Sequence, residues 1–193
     1  MAKKFDIKKS IITALFISLC VVLPMAFHLI QISGSIFCPM HIPVLLCGLI
    51  CGWKLGLICG LTGPLLSCLL TGMPSVTTLP AMTVELSVYG LITGLMMTLV
   101  HTKRIYTDLY ASLITAMLAG RIAAGIIRAL TFMFFTYVAA DTFSISVWTT
   151  SYFITSFPGI VTHLIIIPSI VFALTKARLI PTRYPKGGYI KNG

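Results

Sequence analysis

The sequence predicts an all-α integral membrane protein, a bundle of six transmembrane helices with both termini in the cytoplasm. Three observations lead there. Of 193 residues 58% are hydrophobic and only 9% charged, with a mean hydropathy of +1.02, whereas a soluble domain carries roughly a quarter charged residues. The apolar residues gather into runs suited to a hydrocarbon core of about 30 Å, which takes about 20 residues of helix. The basic residues, finally, alternate along the chain with loops that have none.

That alternation decides what the net charge of +10 means. Twelve of the fourteen Lys and Arg residues fall in four segments: Lys3, Lys4, Lys8 and Lys9; Lys54; Lys103 and Arg104; and Lys176, Arg178, Arg183, Lys186 and Lys191. The loops around residues 32 to 40, 73 to 80 and 139 to 146 contain neither Lys nor Arg. A nucleic-acid binder would gather its charge on one surface. Here the pattern is the positive-inside rule, and anionic lipid headgroups are a secondary partner.

The spans expected in order are Ile11 to Ile30, His41 to Gly52, Lys54 to Gly72, Ala81 to His101, Asp108 to Val138 and Val147 to Ala177. Residues 1–10 form a cytoplasmic tail, 11–177 the membrane domain and 178–193 a basic cytoplasmic tail. Ser33-Gly34-Ser35 has the small-residue pattern of a signal cleavage site, but the preceding run is too long for a signal peptide, so it is read as mature structure. The second span is short, and Pro39 and Pro43 interrupt its start. It is either tilted, shielded by neighbours or part of a hairpin, and the Gly34 to Pro43 region is a candidate wall of a binding site, since irregular backbone at membrane depth lies inside protein or along a cavity.

Small residues recur at helical spacing: Gly56, Gly60 and Gly63; Gly90 and Gly94; Ala116, Gly120 and Ala124. Such faces let helices approach closely in lipid, where packing drives association. Ala14 and Ser18 make a similar patch on the first helix, whose outer face is free for a partner. The six cysteines, at 20, 38, 47, 51, 59 and 68, form no C-x-x-C pair and have no His at a zinc spacing. They read as small core hydrophobes, with Cys38 the one placed for exposure. No metal and no cofactor is called for.

Glu85, Arg121 and Arg128 stand inside apolar spans, where a charge is kept only against a partner or a protein-enclosed cavity. At 1.5 Å per residue, Glu85 lies about 6 Å, His28 about 3 Å and Arg128 about 15 Å from the outer helix ends. His41 begins the second span on the same side. Arg121, two turns before Arg128 on one stripe, marks the floor of an outward-facing polar pocket and Arg128 its wall. A buried Glu85–Arg128 ion pair joining two helices is the structural alternative. One carboxylate leaves a second guanidinium unmatched, and Arg121 then turns to backbone carbonyls, to His163 or to a ligand carboxylate or phosphate, which suits its planar fork.

Ser33 to Leu46 with its Pro39-Met40-His41-Ile42-Pro43 block, the Gly-rich third helix, Leu70-Thr71-Gly72-Met73-Pro74, Val84-Glu85-Leu86 to Tyr89-Gly90-Leu91, and Ala119-Gly120-Arg121 resemble the substrate-binding S components of energy-coupling factor (ECF) transporters, in the branch with pantothenate- and folate-type subunits. The resemblance extends over residues 8 to 178. It implies a six-helix bundle in the cell membrane that captures a vitamin or related micronutrient from outside beneath a gating first loop. It also implies docking on a shared transmembrane subunit with two ATPases, and toppling in the membrane to release the load. Met40, His41, His28, Glu85, Arg121 and Arg128 are then the candidate substrate contacts. Ala14-x-x-x-Ser18 stands where the family has Ala-x-x-x-Ala, a departure that conserves small size. With no Walker A sequence, ATP hydrolysis falls to partners.

Two other classes compete. A stand-alone secondary transporter would use Glu85 for proton coupling, but no inverted repeat is visible. An intramembrane enzyme is disfavoured by having only four acidic residues and no nucleophile–base pair, so no catalytic residue is assigned.

Overall fold

The structure is a computed structural model, and it describes residues 7–29, 37–100, 102, 105–134, 146 and 149–176. Among the described residues the chain is helical throughout: α1 (Ile7–Leu29), α2 (His41–Cys51), α3 (Trp53–Thr71), α4 (Leu79–Leu99), α5 (Ile105–Phe134), a π-helical turn (Thr150–Thr155) and α6 (Phe157–Lys176). Five of these helices are long and apolar enough to cross a membrane. The expected second span is the exception, as an 11-residue helix about 16 Å long at 1.5 Å per residue.

That short helix is the most enclosed element. Every residue of α2 except Ile42 is buried, and it packs on α1, α3 and α4. Shielding by neighbours is therefore how the chain accommodates it. Pro43 lies in its first turn, where a backbone N–H has no helical partner to lose. At its other end a single residue, Gly52, in a left-handed conformation with φ 102°, turns the chain into α3.

The small-residue spacing in α3 and α4 has a direct consequence. A Cβ built on Gly90 collides with the backbone of Gly56, and one on Gly56 with the carbonyl of Gly90. The two helices cross backbone to backbone, and together with α4 against α5 they form the most extensive packing in the molecule. Around this seam lies the core of Cys20, Val44, Leu45, Cys47, Cys59, Leu86, Tyr89, Leu113 and Ile167. The cysteines are all free, four of them buried and Cys38 and Cys68 half-buried. Cys47 Sγ lies 3.7 Å from Thr13 Oγ1, a weak polar contact within apolar packing.

Outward faces carry Ile11, Leu15, Val22, Leu69, Leu118, Ile122 and Ile165, as befits surfaces solvated by lipid. Trp53 and Tyr106 stand exposed at the starts of α3 and α5, with Lys54 Nζ 5.3 Å over the Trp53 ring. Tyr106 meets Phe172, near the end of α6, at 6.1 Å. Amphipathic aromatic rings beside basic residues suit a membrane–water boundary.

The last span differs from expectation. Instead of one unbroken helix over Val147 to Ala177, α6 begins at Phe157 after the π-helical turn. Proline is favoured in the first turn of a helix, which suits Pro158 to the start of α6. α6 touches α2 and α5 only lightly.

Candidate functional site

Four helices and the π-helical turn bring a polar cluster into the bundle. Glu85, in the second turn of α4, projects inward, and one turn later on the same face stands Tyr89. The Tyr89 hydroxyl donates to Glu85 Oε1 at 2.7 Å and accepts from Arg121 Nε of α5 at 3.3 Å. Arg121 Nη1 donates to Ser156 Oγ, just before α6, at 2.8 Å, and its guanidinium lies 5.7 Å from the centre of the Phe153 ring in the π-helical turn. From α2, His41 Nε2 lies 3.5 Å from Glu85 Oε1. Glu85, Tyr89, Arg121, Ser156 and His41 are all buried.

Room for this arrangement comes from α5. A Cβ on Gly120 would strike the Tyr89 ring, so the glycine preceding Arg121 is the notch in which the tyrosine lies. The result is a chain of hydrogen bonds in which a carboxylate and a guanidinium are joined through a hydroxyl rather than face to face. Arg121 spends two of its five N–H donors on neutral hydroxyls, which leaves its charge without a directly paired anion among the described residues.

His163 completes the cluster from α6. Its ring stacks on His41 with centroids 5.8 Å apart and planes 15° apart, and His41 also meets Tyr89 at 5.2 Å. Cys38 lies at the turn leading into α2, where its carbonyl accepts from His41 N at 3.0 Å. Its φ of 46° is in the left-handed region that L residues seldom occupy. Burial pushes the Cys38 thiol up to about 12, the Glu85 carboxylate adds to that, and Arg121 opposes it. Both charges thus reach the turn.

The expected site residues fare differently. Glu85, Arg121 and His41 come together as one cluster. Arg128, two turns beyond Arg121, is half-buried and makes no hydrogen bond or ion pair among the described residues. No ion pair joins it to Glu85, which leaves the helix-joining reading without a contact. Met40 is buried in the apolar core, with its carbonyl 3.9 Å from Cys20 Sγ. The His28 side chain, residues 30–36 of the expected gating loop, His101, most of the 139 to 146 loop and the tails at 1–6 and 177–193 lie outside the described residues. Ala14 and Ser18 are exposed on α1. The sequence reading does not single out Tyr89, Ser156 or Phe153. For Tyr89 a signal existed, because it follows Glu85 at a spacing of four on an inward face. Among the described residues no group of three or more His, Cys, Asp or Glu is arranged to hold a metal ion.

This geometry suits binding: buried opposite charges held apart, aromatic rings around them, and polar atoms left to meet a small molecule. Neither a curated protein nor a solved structure matches the chain. A family model, described as the substrate-specific component of ECF transporters, matches residues 8–180. With nearly the whole described bundle inside that match, the chain belongs to the family of ECF transporter substrate-specific components.

Proposed function

We propose that this protein captures a vitamin or related micronutrient, anionic or zwitterionic, from outside the cell, and hands it inward through an ATP-driven complex. The observation that carries the reading is Arg121, buried and, among the described residues, hydrogen-bonded only to hydroxyls. A guanidinium so placed has unspent donors that suit a carboxylate or phosphate. On this reading Arg121 takes the negative group, with Arg128 further along the same helix, and Glu85 takes a hydroxyl, amide or cation. The turn at Cys38 to Met40, with the loop before it, closes the site.

ATP hydrolysis belongs to two partner ATPases, coupled through a shared transmembrane subunit. α1 supports a docking role, since Ala14 and Ser18 lie exposed beside Ile11 and Leu15. The same reading places the protein in the plasma membrane and in the pantothenate- and folate-like branch of its family.

The test is substrate retention. Purified wild-type protein is expected to carry a small molecule detectable by mass spectrometry, and Arg121→Ala to lose it while keeping its fold. Equal retention by both would reject the pocket. For docking, Ala14→Trp is expected to keep the bound molecule but to stop co-purification with the ATPase module; intact co-purification would remove α1 from the interface.

A further inference from the structure

His163 is fully buried, and neither of its ring nitrogens has a hydrogen-bond partner among the described residues. His41 Nδ1 is in the same condition. Burying an unmet polar atom is costly, and the great majority of buried polar atoms are satisfied. Between Phe157 and Ala173, α6 holds no other titratable side chain, and a leucine at 163 would avoid the cost altogether. The backbones of Phe37 and Cys38 lie close enough to act on the ring, yet neither ring nitrogen meets hydrogen-bond geometry with a described residue. The ring instead stacks on His41, which joins it to the cluster of Glu85, Tyr89 and Arg121.

We propose that His163 is a substrate-reading residue. With His41 it recognises an uncharged group that presents a hydrogen-bond donor beside an acceptor, as the edge of an amide, lactam or ureide does. No described carboxylate lies within ion-pair distance of His163, and a buried charge without a partner is costly, so the ring works in its uncharged form. An uncharged imidazole offers one N–H and one lone pair. The two ring nitrogens point apart, so one ligand edge meets one nitrogen of His163 and the unmet Nδ1 of the stacked His41, one ring donating and the other accepting, while Arg121 takes the acidic end of the same molecule. This inference rests on the capture reading above and adds to it the chemistry of the substrate's second polar group.

The experiment compares purified wild type, His163→Leu, His163→Asn and Arg121→Ala by thermal unfolding, each without ligand and with the low-molecular-mass fraction of yeast extract. Retained molecules are then identified by mass spectrometry. Ligand-free His163→Leu is expected to melt at or above wild type, because it removes unmet polar atoms. It should need about tenfold more extract for the same stabilisation, the worth of a hydrogen bond or two. His163→Asn, whose amide keeps a donor beside an acceptor, should recover most of the response.

Three results would overturn the proposal: His163→Leu failing to fold or melting well below wild type, which would make the Phe37 and Cys38 backbones its structural partners; His163→Leu responding as wild type does; or a retained molecule without an adjacent donor and acceptor. If Arg121→Ala alone loses the response, the capture reading stands and the role of His163 falls. If wild type does not respond, both fall.

Discussion

Tyr89 decides how the buried charges coexist. Its hydroxyl hydrogen-bonds both Glu85 and Arg121, so removing it leaves a carboxylate and a guanidinium each short of a hydrogen bond. Tyr89→Phe keeps the ring in the Gly120 notch and deletes only that bridge. It is expected to lower stability by about 1–3 kcal/mol, the cost of leaving buried polar partners unmet, and thermal unfolding in detergent would measure it. Cys38 supplies a second prediction at this scale. Its thiol, raised to about 12, keeps its proton where an ordinary cysteine begins to ionise. The thiolate is the reactive form, and its scarcity outweighs the greater nucleophilicity of a more basic thiolate, so alkylation of Cys38 at pH 8 should run about 30-fold or more slower than for a thiol of pKa 9. Site-resolved mass spectrometry against a model peptide reads this. The sign for stability follows: the burial favours the folded state below pH 9, and that contribution fades as pH rises from 9 towards 12. Glu85 and Arg121 were legible in the sequence because a charge in an apolar span demands a reason. Tyr89, Ser156 and Phe153 were not, because such residues are unremarkable in membrane helices and only tertiary packing brings them to Arg121.

Among the elements, α3, α4 and α5 hold the site in place by close approach. The Gly56–Gly90 crossing leaves no space for even a methyl group, and Gly90 lies one residue after Tyr89, so a shift there moves the bridge as well. Gly90→Ala is expected to destabilise the fold by roughly 1–3 kcal/mol through overpacking against backbone and to weaken substrate retention alongside. Ile122→Ala, on the exposed face of α5, should leave both near wild type. Thermal unfolding and mass spectrometry of the retained molecule would compare the two variants. Helix existence and most boundaries were readable from the apolar runs, since lipid solvation writes length directly into sequence. Two features were not. A π-helical turn is not visible in an apolar run, so the expected last span runs from Val147 through that turn into α6. The depth of α2 depends on which neighbours surround it, which its 11 residues cannot record.

At the scale of the whole molecule, the short helix bears on the topology that the charge pattern predicts. Five long helices alone would put the chain's two ends on opposite sides, yet Lys8 and Lys9 precede or open the first helix and Lys176 closes the last. Both ends carry the basic signature of the cytoplasmic face. The parity is restored only if α2 counts as a crossing. Gly52 turns the chain between α2 and α3 within one residue, and Lys54 beside Trp53 at that turn is what the positive-inside rule expects of a cytoplasmic boundary. We predict that α2 does count as a crossing, and its enclosure by α1, α3 and α4 makes so short a segment tolerable. The expected outcome is that green fluorescent protein fused after Gly193 is fluorescent and alkaline phosphatase at the same point inactive, while phosphatase inserted after Val76, in the exposed basic-free turn, is active. Active phosphatase at Gly193 would mean an odd number of crossings. It would make α2 a re-entrant element, and the positive charge of the last segment would then have failed to hold it inside.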